Sequence, residues 1–146
     1  MYKLCLVSAC FLAFVVPASE LQVLAPEALK AKVVEITEAQ NKVLLKGSTP
    51  ADVDKLFDLY HNDFVYRHEV YGGDYQKDTL YNNTLRLQAM GKYNNTEPRY
   101  RILTLIPGHN AIAVERQEKY QGELKSHLAV FEFQGDKVSR IVEYWK

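Results

Sequence analysis

The sequence predicts an α+β domain, with helices gathered early and antiparallel strands late. Three observations point there. Leu29, Val33, Ile36, Val43 and Leu44 recur at helical spacing, and so do Val53, Leu56, Phe57 and Tyr60. The second half is cut into short runs by Pro107-Gly108-His109-Asn110, Gln121-Gly122 and Gly135-Asp136. With 146 residues the chain is long enough for one domain with a real core and too short for two. The predicted order is α-α-β-α-β-β-β-β.

The first helix begins near Pro26, a residue suited to a first helical turn. It carries Gln40 on its inward stripe and stops at Gly47. Thr49 caps the second helix, Pro50 takes its first position, and Asp52 stands three residues after the cap. The first strand runs from about Asp63 to Tyr71. It sets Phe64, Tyr66, His68 and Val70 on one face and Arg67 and Glu69 on the other. Gly72-Gly73-Asp74 breaks it. A third helix is predicted from about Asp78 to Met90, with Leu80, Thr84 and Leu87 on one side and Gly91 as its stop. Four strands then form a meander, at about Arg99 to Ile106, Ala111 to Tyr120, Glu123 to Phe133 and Lys137 to Trp145.

The N-terminus is a separate object. Lys3 precedes an apolar run from Leu4 to Val16, and Val16-Pro17-Ala18 offers small residues to a signal peptidase. The expectation is a signal peptide over residues 1–18, a mature domain over 19–146, and an exported protein, periplasmic or secreted. The apolar run is shorter than the roughly 20 residues of a membrane-crossing helix, so no stable membrane insertion is expected after cleavage. Val7-Ser8-Ala9-Cys10 resembles a bacterial lipobox. The apolar run continues past Cys10, however, where a lipidated cysteine should end it. Cleavage removes Cys5 and Cys10, which excludes disulfides, cysteine nucleophiles and thiolate metal sites from the mature chain. The formal net charge of the whole chain is zero, and no basic patch or charge block argues for nucleic acid.

Two-residue turns set strand register, so faces can be assigned. A turn at Gln121-Gly122 pairs Glu118 with Lys125, Arg116 with His127, Val114 with Ala129 and Ile112 with Phe131. A turn at Gly135-Asp136 pairs Phe133 with Val138, Phe131 with Arg140, Ala129 with Val142 and His127 with Tyr144. The inner face is then apolar at one end, through Ile112, Val114, Ala129, Phe131, Phe133, Val138 and Val142. It is polar at the other, through Arg116, Glu118, Lys125, His127 and Tyr144. A cavity closed by helices would present this pattern. The outer face mixes Ala113, Leu128, Val130, Ile141 and Trp145 with Glu115, Gln117, Glu132 and Glu143. It is apolar enough to suggest a second subunit, hence a homodimer through the outer sheet face. A bulge would shift these faces.

The segments LFDLYHNDFVY and VFEFQGDKVSRIVEYW, with the element order, carry a resemblance. The chain resembles the SnoaL-like branch of the nuclear transport factor 2-like superfamily over roughly residues 26 to 146. The resemblance implies a cone, a strongly curved antiparallel or mixed sheet wrapped around helices, with a pocket at its open end. Such proteins include polyketide cyclases, ketosteroid isomerases, dehydratases and many non-catalytic binding or dimerisation modules. In the isomerases the general base is a carboxylate on the first strand, and the corresponding position here is His68. The tyrosine on the long helix corresponds to Gln40, and the second carboxylic acid to Ala129. None of those three groups is kept, so the resemblance does not imply steroid-isomerase chemistry in that form.

The candidate catalytic residues are His68, His127, Arg116 and Glu118. An inward histidine titrates near neutrality and could move a proton. His127 beside a carboxylate could be held in one tautomer, and Arg116 could bind an anionic or enolate oxygen. The bland alternatives are a core histidine and a solvent-washed ion-pair ladder. Gln40, Tyr66, Val114, Ala129, Phe131 and Tyr144 are the candidate substrate-binding residues. No metal-type spacing, phosphate loop, dinucleotide fingerprint or nucleophile elbow is present, so no metal and no cofactor are expected. The expected ligand is a small, largely apolar molecule with a carbonyl or carboxylate. The expected function is proton-transfer catalysis (isomerisation, cyclisation or dehydration) or non-catalytic ligand binding.

Overall fold

The computed structural model describes residues 23–120 and 122–145, so the predicted signal peptide lies outside it. The elements run α1 (Pro26–Leu44), α2 (Pro50–Asp58), β1 (Tyr60–His68), β2 (Asp74–Gln76), α3 (Lys77–Ala89), β3 (Tyr100–Pro107), β4 (Ala111–Tyr120), β5 (Glu123–Gln134) and β6 (Lys137–Tyr144). One six-stranded mixed sheet, curved but not closed, holds them in the order β2-β1-β6-β5-β4-β3. β1 runs parallel to β6, and the other neighbours are antiparallel.

The local signals act as their chemistry dictates. Pro26 and Pro50 open α1 and α2. At α2 the Asp52 carboxylate accepts from the Thr49 backbone N–H and from its hydroxyl, both at 2.8 Å. Leu29, Val33 and Ile36 of α1 are fully buried with Val53, Phe64, Val114 and Phe131 in one core. No residue of α3 is fully buried. It covers the interior as a flap of half-buried side chains rather than a core helix. The short strand β2 was not expected. It pairs with β1 through Arg67 opposite Asp74, joined by two hydrogen bonds of 2.6 and 2.8 Å.

The β4–β5 hairpin has the register the turn requires, including Arg116 opposite His127 and Val114 opposite Ala129. The β5–β6 hairpin does not. Phe133 pairs with Val138 as expected, but Glu132 then pairs with Arg140, leaving Ser139 as an extra residue on β6. Beyond this bulge every β6 side chain changes face. Ile141 pairs with Phe131 and Glu143 with Ala129, so both point inward. Val142 pairs with Val130 and Tyr144 with Leu128 on the outer face. The inward placement of Val142 and Tyr144 is therefore corrected, and so is the outward placement of Ile141 and Glu143.

Candidate functional site

A cavity of about 230 Å³ opens between the three helices and the inner sheet face. Gln40, Val43 and Leu44 reach it from α1, and Leu56 and Phe57 from α2. Leu80 and Thr84 come from α3, and Tyr93 from the segment after it. The sheet supplies Tyr60, Phe64, Tyr66, Tyr100, Ile141 and Glu143. The size lies just below the roughly 300–1,000 Å³ of drug-sized sites, which suits a small molecule.

Glu143 is the centre of the polar wall. Its Oε1 accepts from Arg116 Nη2. Its Oε2 accepts from the Tyr66 hydroxyl and from Trp145 Nε1, each at 2.8 Å. Arg116 also donates through Nη1 to Gln40 Oε1 at 2.8 Å, and Gln40 Nε2 donates to the Tyr60 hydroxyl at 3.2 Å. The guanidinium has no solvent exposure and lies over the Tyr100 ring at 4.3 Å and the Phe131 ring at 5.4 Å. Burial opposes ionisation of Glu143, yet the Arg116 charge and the Trp145 and Tyr66 donors outweigh it and hold its carboxyl below the ordinary value. Burial keeps the hydroxyl protons of Tyr60, Tyr66 and Tyr100 on, well above the usual phenol range. For Tyr66 and Tyr100 the Glu143 charge adds to it.

The predicted substrate-binding residues divide into three groups. Gln40 and Tyr66 line the cavity. Val114, Ala129 and Phe131 are fully buried beneath it and pack the core. Tyr144 is turned to the outer face and is 44% exposed. Of the four residues given catalytic roles, none is on the cavity wall. His68 is buried under Tyr71 and Trp145, with ring centroids 4.4 and 4.7 Å away. His127 packs against Trp145 at 5.9 Å and Tyr100 at 6.4 Å.

Arg116 and Glu118 are not a solvent-washed ladder. Both are buried, Arg116 bonded to Glu143 and Glu118 accepting from Arg99 Nε at 2.8 Å. His127 lies among these charges. Burial first, and the Arg116 charge next, lower its pKa from the usual value, so it is neutral near neutral pH. Neither of its ring nitrogens has a hydrogen-bond partner among the described residues. Among the described residues no group of three or more His, Cys, Asp or Glu could hold a metal ion.

Sequence reasoning missed Glu143, and the bulge is the reason: alternation along β6 assigns it to the outer face. It also left out Tyr60, Tyr93 and Tyr100 as cavity residues. Tyr60 was legible only as part of an apolar helix face.

No family model matches the sequence, and no curated protein matches it. Solved structures do. An NTF2-like protein of unknown function from Pseudomonas aeruginosa superposes with a TM-score of 0.62 at 17% identity, covering 82% of this chain and 98% of that one. One from Burkholderia xenovorans gives 0.60 at 18% identity, covering 81% and 82%. An uncharacterised cystatin-fold protein from Novosphingobium aromaticivorans gives 0.60 at 16%, covering 81% and 97%. With this topology, curved sheet and helix-covered cavity, the chain has the NTF2-like, cystatin-like fold.

Proposed function

We propose that this is an exported small-molecule-binding protein whose cavity holds its ligand without transforming it. One observation carries the reading. The histidines and the carboxylate near the cavity are off its wall or already engaged. His68 and His127 are off its wall, and both Glu143 oxygens accept from neighbours while the carboxyl stays ionised. A general base needs to reach the substrate and to have a pKa near the working pH; neither histidine lines the cavity, and Glu143 is held below its ordinary value. The arrangement therefore supports binding over the proton transfer expected of His68. The motifs at α2–β1 and in the last hairpin support the SnoaL-like branch within the fold. A carboxylate ligand has less support than the sequence suggested, because no cationic side chain is among the described residues that line the cavity.

The test is native mass spectrometry of protein recovered from its exported form, which also reads the mature N-terminus, expected after Ala18. A bound small molecule is expected with the wild-type chain and not with Thr84→Trp. That substitution fills the cavity from half-buried α3 with little expected effect on stability. Equal ligand on both proteins, or none on either, would remove the reading.

We also propose a homodimer through the outer sheet face. Ile106, Leu128 and Tyr144 are exposed there beside half-buried Val130, while Arg140 is close to Glu132. Removing such a patch from water supports self-association. Sedimentation equilibrium should find two copies for the wild type and one for Leu128→Glu. A monomeric wild type would refute it.

A further inference from the structure

The charge distribution at the cavity is lopsided. Among its described lining residues Glu143 is the one that bears a formal charge, and six are aromatic: Phe57, Tyr60, Phe64, Tyr66, Tyr93 and Tyr100. The countercharge, Arg116, is not on the wall. It lies behind Glu143, wholly buried, with its guanidinium over the rings of Tyr100 and Phe131. The ion pair is therefore a dipole with its negative end at the cavity.

An anion entering would meet that end with no cation to pair with. A neutral molecule would gain the apolar contacts alone. A cation carrying alkyl groups would gain three things at once. Its charge would face the carboxylate, its field would favour the π faces of neutral aromatic rings, and its alkyl groups would bury against Val43, Leu56 and Ile141.

We propose that the cavity selects a small N-alkylated ammonium, a molecule of the size and shape of a trimethylammonium with a short tail. The proposal rests on the binding function given above and names the ligand class for the same cavity. Leu80 and Thr84 on α3 form its helical cover, and Tyr93 stands beside Thr84.

Three probes of nearly one shape separate the possibilities. Choline is the cation, 3,3-dimethylbutan-1-ol is its uncharged isostere, and 3,3-dimethylbutanoate is the anion. Each is titrated calorimetrically into the full mature chain. Choline is expected to bind at least about tenfold more tightly than the alcohol, a modest demand on a desolvated cation–π site with a carboxylate. The butanoate should bind most weakly. Thr84→Trp should abolish choline binding, which places it in this cavity. Nuclear Overhauser contacts from the choline methyls to cavity tyrosine rings should confirm the pose. If the alcohol binds as well as choline, cation selection is wrong and the binding reading survives. If none of the three binds, the cation proposal falls, and the native mass spectrometry above decides the binding reading separately. If choline binds equally to Thr84→Trp, the site lies elsewhere and the proposal falls.

Discussion

Replacing Arg116 with alanine is expected to destabilise the fold by about 3–5 kcal/mol, the range for removing one partner of a buried ion pair. The cost has three sources. Glu143 keeps its Tyr66 and Trp145 donors but loses the Arg116 charge, the largest of the influences that oppose its burial. Gln40 Oε1 loses its donor. The space the guanidinium fills between Tyr100 and Phe131 is emptied. Changing both partners, as in Arg116→Met with Glu143→Gln, should cost clearly less than Arg116→Ala alone, since no charge is left buried and unpaired. Urea unfolding of the three proteins measures this. A loss below about 1 kcal/mol for Arg116→Ala would mean the pair is effectively solvated, in the range of exposed ion pairs.

Acid should act on the same cluster in two stages. His127 has a folded pKa below its ordinary 6.5, so the unfolded chain takes up the proton first. The stability held above that pH starts to fall as pH drops below about 6.5 and keeps falling until the folded pKa is passed. Glu143, also lowered, adds a second loss that begins near its ordinary 4.5 and is complete below its folded pKa. The groups facing His127 are Arg116, Glu143, Glu118 and Arg99, with cation and anion in equal number. In His127→Leu the upper limb should vanish and the lower one remain. An unchanged upper limb would assign it to another group.

Deleting Ser139 should leave a cooperative fold with the same site. Val138 stays opposite Phe133 and Arg140 stays opposite Glu132, now as consecutive pairs, so the bulge is removed and no β6 side chain changes face. Ile141 still packs on Phe131, and Glu143 still meets Arg116. The loss should be confined to the local twist that the bulge adds and to the 3.2 Å hydrogen bond from the serine hydroxyl to the Glu132 carbonyl. Ser139→Gly keeps the extra residue and loses only that hydrogen bond, so it should fold with a small loss. Near-UV circular dichroism and calorimetry compare the two. A deletion without a sharp calorimetric transition would show that the bulge itself is required.

That hairpin also marks how far the sequence could be read. α1, α2 and the β4–β5 hairpin were legible because their signals are local. Apolar residues recur at 3.6-residue spacing, Pro50 with Thr49 and Asp52 opens α2, and Gln121-Gly122 sets which residues of β4 and β5 face each other. The inward set of β4 and β5 followed from that turn, and with it the buried Arg116, Glu118 and His127. The resemblance added the curved sheet and the cavity, and with them Gln40 and Tyr66 at its wall.

Glu143 was not legible in the same way. Whether a strand bulges depends on how its twist fits the neighbouring strands and the helix beneath, not on the residues beside the bulge. No turn residue in VSRIVEYW announces the extra position. Tyr100 and Tyr93 likewise reach the cavity only because β3 closes on α1 and α3 closes on α2 and β1, contacts between distant parts of the chain. Periodicity and turn chemistry are properties of neighbours in sequence, and they sufficed for the elements, their order and most of the core. The direction in which Glu143 faces depends on whether β6 pairs Ser139 or bulges it out, a choice set by the packing of the whole sheet.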